Sequence, residues 1–156
     1  MKYVDTSAFV KYYADESAEK GAKEIACLLD SAKDTKEKLM SSVLLIGECA
    51  SVFDKWLRQK KIDQPERDKL LGDFINDIKE LTENGSLELE SVNTLTVIFS
   101  VDYIVKHHLT VNDALHLYAA LSHKSKINKF VCSDNNLIRA AEREGLAVMN
   151  PEEDKE

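Results

Sequence analysis

Apolar residues along the chain occur in two patterns. Short continuous runs are typical of buried strands, and spacing of three to four residues is typical of helices. The helical spacing is clearest over residues 43–60 and again after Gln64, where Pro65 stands in the first turn. The second of these helices has an end signal at Asn84-Gly85. Short apolar runs, such as the one just before Asp5, predict strands between the helices.

The complete pattern alternates short strands with helices. It predicts strands over 3–4, 39–41, 87–92, 129–132 and 146–149, and helices over 7–13, 17–32, 43–60, 64–84, 94–107, 111–123 and 134–144. Strands that alternate with helices predict a parallel sheet with both faces covered, which here is an α/β fold, a three-layer α/β/α sandwich. In such sheets ligands bind beyond the carboxyl ends of the strands, where the strand order reverses.

Three aspartates fall at junctions between predicted elements. Asp5 and Asp134 each follow a short apolar strand and precede a helix, and Asp113 stands three residues after Thr110 in a helix start. Each aspartate has two interpretations. It is a helix cap, because aspartate and threonine are common in caps, or it is an active-site carboxylate that binds a metal ion. The two are compatible, since a carboxylate in a first turn can still face a metal ion.

Glu48 interrupts the most apolar helical segment, Val43-Leu-Leu-Ile-Gly-Glu48-Cys-Ala-Ser-Val-Phe53. At this position the carboxylate is expected to be at least partly buried, and an unpaired buried charge is costly. A metal ion would be a suitable partner, whereas a position on the surface flank of the helix is the alternative.

Four acids without a His–Cys ligand set favour one or two Mg²⁺ or Mn²⁺ ions over zinc. Without a cation, carboxylates that share a pocket repel each other and raise each other's pKa. The formal net charge of −7 opposes a role in binding nucleic acid, which needs Lys and Arg at phosphates. The 21 Lys and Arg residues would therefore have to gather on one face.

Other features describe the setting of this acidic cluster. Cys27, Cys49 and Cys132 lie in apolar runs without metal-type spacing, so we expect three buried thiols and a reducing cytoplasm. The N-terminus lacks the apolar core of a signal peptide. His116, one turn after Asp113, is expected to be a structural histidine that hydrogen-bonds to backbone.

The motifs taken together resemble the PIN-domain nuclease family, and within it the VapC-type toxins of toxin–antitoxin pairs. The matching pieces are Val4-Asp5-Thr6-Ser7-Ala8, Glu48 in the helix after the second strand, Asp113-Ala-Leu-His116, Phe130-Val-Cys-Ser-Asp134 and Gly145-Leu-Ala-Val-Met-Asn150-Pro151. The long, partly acidic segment 62–85 has no sharp motif and leaves the subfamily open.

The resemblance implies a central parallel sheet of about five strands in the order 3-2-1-4-5, within a single PIN-like domain over 1–151 and a charged, frayed tail over 152–156. It implies an Mg²⁺- or Mn²⁺-dependent endoribonuclease in which Asp5, Glu48, Asp113 and Asp134 form the catalytic and metal-binding quartet. Thr6, Ser7 and Ser133 would support the ligands from hydroxyl-bearing positions beside the metals. It also implies a homodimer and an antitoxin protein that blocks the active-site groove.

Two alternatives remain open: a PIN-fold RNA-processing nuclease without an antitoxin, and a catalytically silent module that binds a protein partner. Metal binding distinguishes the silent module from either nuclease. The basic residues considered for phosphate contact are Lys55, Arg58, Arg139 and Arg143, although charged residues at helical spacing are more often a solvated face.

Overall fold

The computed structural model describes residues 1–15 and 17–153. Its strands are β1 (Lys2–Val4), β2 (Leu39–Ser42), β3 (Leu87–Glu90), β4 (Lys129–Val131) and β5 (Val148–Met149). Its helices are α1 (Thr6–Phe9), α2 (Ala22–Lys33), α3 (Leu44–Arg58), α4 (Gln64–Glu83), α5 (Thr94–His107), α6 (Val111–Ser122) and α7 (Asn135–Arg143), with a 3₁₀ turn over Val10–Tyr13.

The five strands form one sheet in the order β3-β2-β1-β4-β5, and all neighbouring pairs are parallel. The predicted α/β class and strand order are therefore confirmed. β1 is the central strand, and Tyr3 pairs with Met40 on one side and with Phe130 on the other. The strand order reverses between β1 and β4, so residues that follow these two strands face the crevice where ligands bind in open α/β sheets.

Two hydrophobic cores lie on opposite faces of the sheet, because successive strand side chains point to opposite sides. Val4 and Val131 pack with α2, α3 and α4 on one face, in a core that includes Phe53 and Phe74. Tyr3 packs with α6 and α7 on the other face. This arrangement gives the three predicted layers.

The start of the second helix differs from the prediction. The spacing of alanines predicts a helix from residue 17, but α2 begins only at Ala22. Gly21 precedes it in a left-handed conformation (φ 84°), and a Cβ at this position would lie 2.7 Å from the Pro151 carbonyl oxygen. The close approach of the C-terminal segment therefore requires glycine and ends helical geometry before α2.

Smaller predictions at the surface are also corrected. Cys27 is exposed, whereas Cys49 and Cys132 are buried as expected, because Cys27 falls on the outer face of the amphipathic helix α2. Glu152, assigned to the frayed tail, forms an ion pair of 2.8 Å with Lys11. The rest of the predicted tail, 154–156, lies outside the described residues. Among the described helices, none is both long and apolar enough to cross a membrane.

Candidate active site at the carboxyl ends of β1 and β4

Asp5 follows β1 and caps α1. Its Oδ2 accepts hydrogen bonds from the Ser7 backbone N–H at 2.9 Å and from the Ser7 hydroxyl at 2.7 Å. The side chain is buried, and the Cys132 thiol lies 3.7 Å from the same oxygen. Both interpretations of Asp5 are therefore compatible in this geometry: one carboxylate oxygen caps a helix while the residue stands at the end of the central strand.

Asp134 holds the corresponding position after β4. Its Oδ1 accepts hydrogen bonds from the backbone N–H groups of Asn136 at 2.8 Å and Leu137 at 2.9 Å, which caps α7. A hydrogen bond joins the segments that follow β1 and β4, because the Ser133 N–H donates to the Ser7 hydroxyl at 2.9 Å. Ser7 therefore connects the segment that carries Asp5 with the segment that carries Asp134.

Asp113 lies in the first turn of α6, where its backbone N–H donates to the Thr110 hydroxyl at 3.2 Å. The same hydroxyl donates to the Asp113 carboxylate at 2.7 Å. Burial raises the pKa of Asp113, and the negative charges of Asp5 and Asp134 raise it further, against the opposing Thr110 hydrogen bond. The negative charges of Asp5 and Asp134 therefore both act on the Asp113 carboxylate.

Glu48 lies in the second turn of α3 and is partly buried, with 22% of its side chain exposed. Its Oε2 accepts hydrogen bonds from the Thr6 hydroxyl at 2.6 Å and from His116 Nε2 at 2.7 Å. Burial alone would raise the pKa of Glu48, but hydrogen bonds from His116, Thr6 and Asn112 outweigh it and lower the pKa. The partial burial expected from the sequence is thus present, together with a set of polar partners.

The four carboxylates form a charged cluster rather than a closed coordination set. Across residues 1–15 and 17–153, no three His, Cys, Asp or Glu side chains are arranged to hold a single metal ion. Repulsion between like charges is a physical reason for this spacing. The buried Ser133 hydroxyl beside Asp134 has no hydrogen-bond partner among the described residues. Oxygen donors, crowded negative charge and an unpaired hydroxyl are a chemically suitable setting for a hard divalent cation.

The four basic residues considered for RNA contact are exposed, but they differ in position. Lys55 and Arg58 lie in the last turn of α3, roughly 10–15 Å along the helix axis from Glu48. Arg58 also forms an ion pair with Asp54. Arg139 lies in the second turn of the helix that Asp134 caps, and Arg143 lies in the last turn of the same helix.

The expectation for His116 is wrong. Its hydrogen-bond partners are side chains, Tyr3 and Glu48 with a longer contact of 3.5 Å to Thr6, rather than backbone, because α6 places it over the central strand. The sequence indicated His116 through its spacing from Asp113 but gave no direct signal for Tyr3 as a site residue. The available signal for Tyr3 was its position two residues before Asp5, because side chains two residues apart in extended backbone point to the same face of the sheet.

Comparison with known proteins agrees with this geometry. The family model of the PIN domain matches residues 2–143. The crystal structure of PAE2754 from Pyrobaculum aerophilum is similar in fold, with a TM-score of 0.59 and 19% sequence identity over 95% of this chain and 90% of that chain. The search of curated proteins gave no match. The chain belongs to the PIN domain family, whose members are in general nucleases.

Proposed function

We propose that this protein is a metal-dependent endoribonuclease that hydrolyses phosphodiester bonds in RNA. The observation that carries the proposal is the grouping of acids at the strand-order reversal: Asp5 and Asp134 follow the paired strands β1 and β4. Asp113 is within electrostatic range of both. Glu48 joins the group through His116, whose Nδ1 lies 3.7 Å from Asp5 Oδ1.

In this proposal Asp5, Glu48, Asp113 and Asp134 hold one or two Mg²⁺ or Mn²⁺ ions. A bound cation would supply positive charge for the phosphate and for the oxygens that gain negative charge during hydrolysis. The protein itself contributes orientation. Ser7 fixes the Asp5 carboxylate and Thr6 fixes the Glu48 carboxylate, each through a hydroxyl hydrogen bond below 2.8 Å. Such supporting hydrogen bonds hold ligands in place before the ion binds.

The finer biological assignment rests on the motif resemblance to VapC-type toxins. We propose a cytoplasmic toxin that an antitoxin protein inhibits at the acidic groove. Because the chain has a net charge of −7, RNA binding would depend on a bound cation and on local basic residues such as Arg139 and Arg143. Expression in bacteria is the direct test: the wild-type chain should arrest growth, and co-expression of a cognate antitoxin should relieve the arrest.

Cleavage of RNA should require a divalent cation. Purified protein free of any partner is incubated with labelled total RNA in Mn²⁺, in Mg²⁺ and in EDTA. Cleavage in either metal and none in EDTA is the expected result, because the four carboxylates cannot bind a phosphate without neutralisation. If the products are the same in EDTA, the metal-dependent mechanism is wrong. If no metal supports cleavage or binding, the catalytically silent binding module becomes the better description.

Metal binding should also raise the melting temperature. At a Mn²⁺ concentration of 100 Kd, binding to the folded state adds about 2.7 kcal/mol. For a chain of this length that corresponds to a rise in Tm of roughly 5–10 °C. Differential scanning fluorimetry with Mn²⁺, against a NaCl control of equal ionic strength, measures it. An equal rise in NaCl would mean that screening of charge repulsion, and not metal binding, stabilises the protein.

A second part of the proposal is a homodimer formed through α5. Six large apolar side chains on this helix are between 41% and 69% exposed, and we call them the α5 apolar face: Leu95, Val97, Ile98, Phe99, Val101 and Val105. A standard interface buries about 800 Å² of surface on each partner, and these six side chains would form its apolar centre. Surfaces this apolar commonly mark protein contacts.

A second copy of the chain fits the charges on α5. Asp102 and Lys106 are the only charged residues between Thr94 and Lys106, and both are exposed. They carry opposite signs one turn apart. Lys106 forms an ion pair of 2.6 Å with Glu144 of the same chain, and in two antiparallel α5 helices related by a two-fold axis it would also face Asp102 of the other copy. An isologous interface needs this kind of self-complementarity.

Charge placed in the α5 apolar face should dissociate the dimer. Light scattering after size exclusion should give about twice 17.6 kDa for the wild type and 17.6 kDa for Ile98→Glu, because burial of the introduced carboxylate is costly. Ile75→Glu is the matched control, since Ile75 is also exposed but lies on α4. A monomeric wild type across the concentration series, or a dimer that survives Ile98→Glu, contradicts the assignment.

A further inference from the structure

We propose that His116 and Tyr3 are positioning residues that set the distances between three of the four carboxylates. This inference rests on the proposed function, because its consequence is a change in metal affinity. Its evidence is a buried chain of hydrogen bonds from Tyr3 through His116 to Glu48. The Tyr3 hydroxyl lies 2.9 Å from His116 Nδ1, and His116 Nε2 lies 2.7 Å from Glu48 Oε2.

The chain connects the elements that carry the acids. Tyr3 belongs to β1, which ends directly before Asp5. His116 belongs to α6, in which Asp113 lies one turn earlier. Glu48 belongs to α3, on the other side of the sheet edge. One side chain, His116, therefore contacts residues from both of the other elements, and a displacement of any of the three would break a hydrogen bond.

The direction of each hydrogen bond follows from chemistry. An ionised carboxylate only accepts, so His116 Nε2 carries the hydrogen that Glu48 receives. When the imidazole is neutral, Nδ1 then accepts from the Tyr3 hydroxyl. Each polar group in the chain has a partner of the correct kind, which specifies one orientation of the imidazole.

Burial makes this chain suitable for positioning. Tyr3 is fully buried and His116 is 1% exposed, so water does not compete for these hydrogen bonds. Tyr3 also stacks on Phe130 at a centroid distance of 5.4 Å, and its ring edge packs against His116. Thr6 supplies a second contact to Glu48, and its hydroxyl lies 3.5 Å from His116 Nε2, a longer contact than the 2.7 Å between His116 and Glu48. His116 relates Glu48 to α6 and, through Tyr3, to β1 as well.

The test compares Mn²⁺ dissociation constants by isothermal titration calorimetry. His116→Leu keeps the approximate volume but removes the donor, and should weaken Mn²⁺ binding about 10- to 100-fold, as loss of a residue that orients a ligand does. His116→Gln retains an N–H donor and should bind more tightly than His116→Leu. Tyr3→Phe removes one hydroxyl and should weaken binding about 2- to 10-fold, the effect of one net hydrogen bond.

His107→Leu is the matched control. His107 is also buried, with 3% of its side chain exposed, and its Nε2 hydrogen-bonds to Glu144 at 2.7 Å, away from the quartet. This variant should lose stability in denaturant without any change in Mn²⁺ affinity. RNA cleavage by Tyr3→Phe should recover at saturating Mn²⁺, because the carboxylates themselves are intact. Circular dichroism verifies that each variant is folded, and Tyr3→Phe and His116→Gln decide the matter if His116→Leu does not fold.

Distinct results separate this inference from the proposed function. If the wild type binds no Mn²⁺, the proposed function fails, and the positioning role fails with it. If the wild type binds Mn²⁺ and the folded Tyr3 and His116 variants bind within twofold of it, only the positioning role is overturned. If His107→Leu weakens binding as much as His116→Leu, general loss of stability explains the effect and the positioning role is again overturned.

Discussion

Replacement of Asp5 by asparagine is expected to abolish RNA cleavage while the protein stays folded. The carboxylate stands at the end of the central strand, and its negative charge contributes to the raised pKa of Asp113, His116 and Cys132. Loss of a direct ligand should exceed the 10- to 100-fold effect of losing a supporting residue, so we expect a reduction of about 100-fold or more in the cleavage rate. The measurement is the initial rate of RNA cleavage at saturating Mn²⁺.

The fold should tolerate Asp5→Asn because asparagine caps helices as well as aspartate does. Its side-chain oxygen can still accept from the Ser7 backbone N–H, which Asp5 Oδ2 accepts at 2.9 Å. One repulsive charge also disappears from the cluster, so Tm in metal-free buffer should be unchanged or higher. A large fall in the metal-free Tm would show instead that Asp5 acts mainly as a structural cap.

Asp15→Asn provides the matched control for the capping effect. Asp15 also accepts hydrogen bonds from the backbone N–H and the hydroxyl of a serine two residues later, Ser17, but it is exposed and lies away from the quartet. Its asparagine variant should retain cleavage at the wild-type rate. Equal loss of cleavage in both variants would mean that the assay reports folding rather than the function of the acidic cluster.

Replacement of Phe53 by alanine should produce the largest loss of stability among the substitutions considered for this protein. Phe53 is fully buried on α3 and contacts three other rings, with centroid distances of 5.5 Å to Tyr13, 5.6 Å to Trp56 and 5.9 Å to Phe74. Phenylalanine-to-alanine changes in cores cost about 3–5 kcal/mol. Because domains are stable by only about 5–15 kcal/mol, this is a large part of the total.

Urea denaturation measures the change, with Ser51→Ala as the control on the same helix. Ser51 is exposed, and its hydroxyl donates to the Gly47 carbonyl and to no other group among the described residues. Its substitution should therefore alter the free energy of unfolding by no more than about 0.5 kcal/mol. Phe53→Ala should shift the urea midpoint clearly to lower concentration. A loss below about 1 kcal/mol would mean that the aromatic cluster repacks and that α3 does not depend on it to hold Glu48 in place.

Local patterns in the sequence were sufficient for the helix caps and for the positions of three acids. Thr110 caps α6 at the predicted helix start, and the α4 boundaries follow Gln64, Pro65 and the Asn84-Gly85 signal. These features depend on hydrogen bonds between residues a few positions apart, which sequence spacing determines. The α2 start was missed because a distant segment, Pro151, approaches Gly21.

The fold class was predictable because the alternation of strands and helices is visible in the sequence. The positions of Asp5 and Asp134 were predictable because the carboxyl ends of parallel strands share one edge of the sheet. The partners of Glu48 were not predictable in the same way. His116 lies 68 residues from Glu48 and Tyr3 lies 113 residues from His116, and no spacing rule relates residues so far apart. Only the packing of α3 and α6 at the edge of the sheet brings Tyr3, His116 and Glu48 into one buried chain of hydrogen bonds.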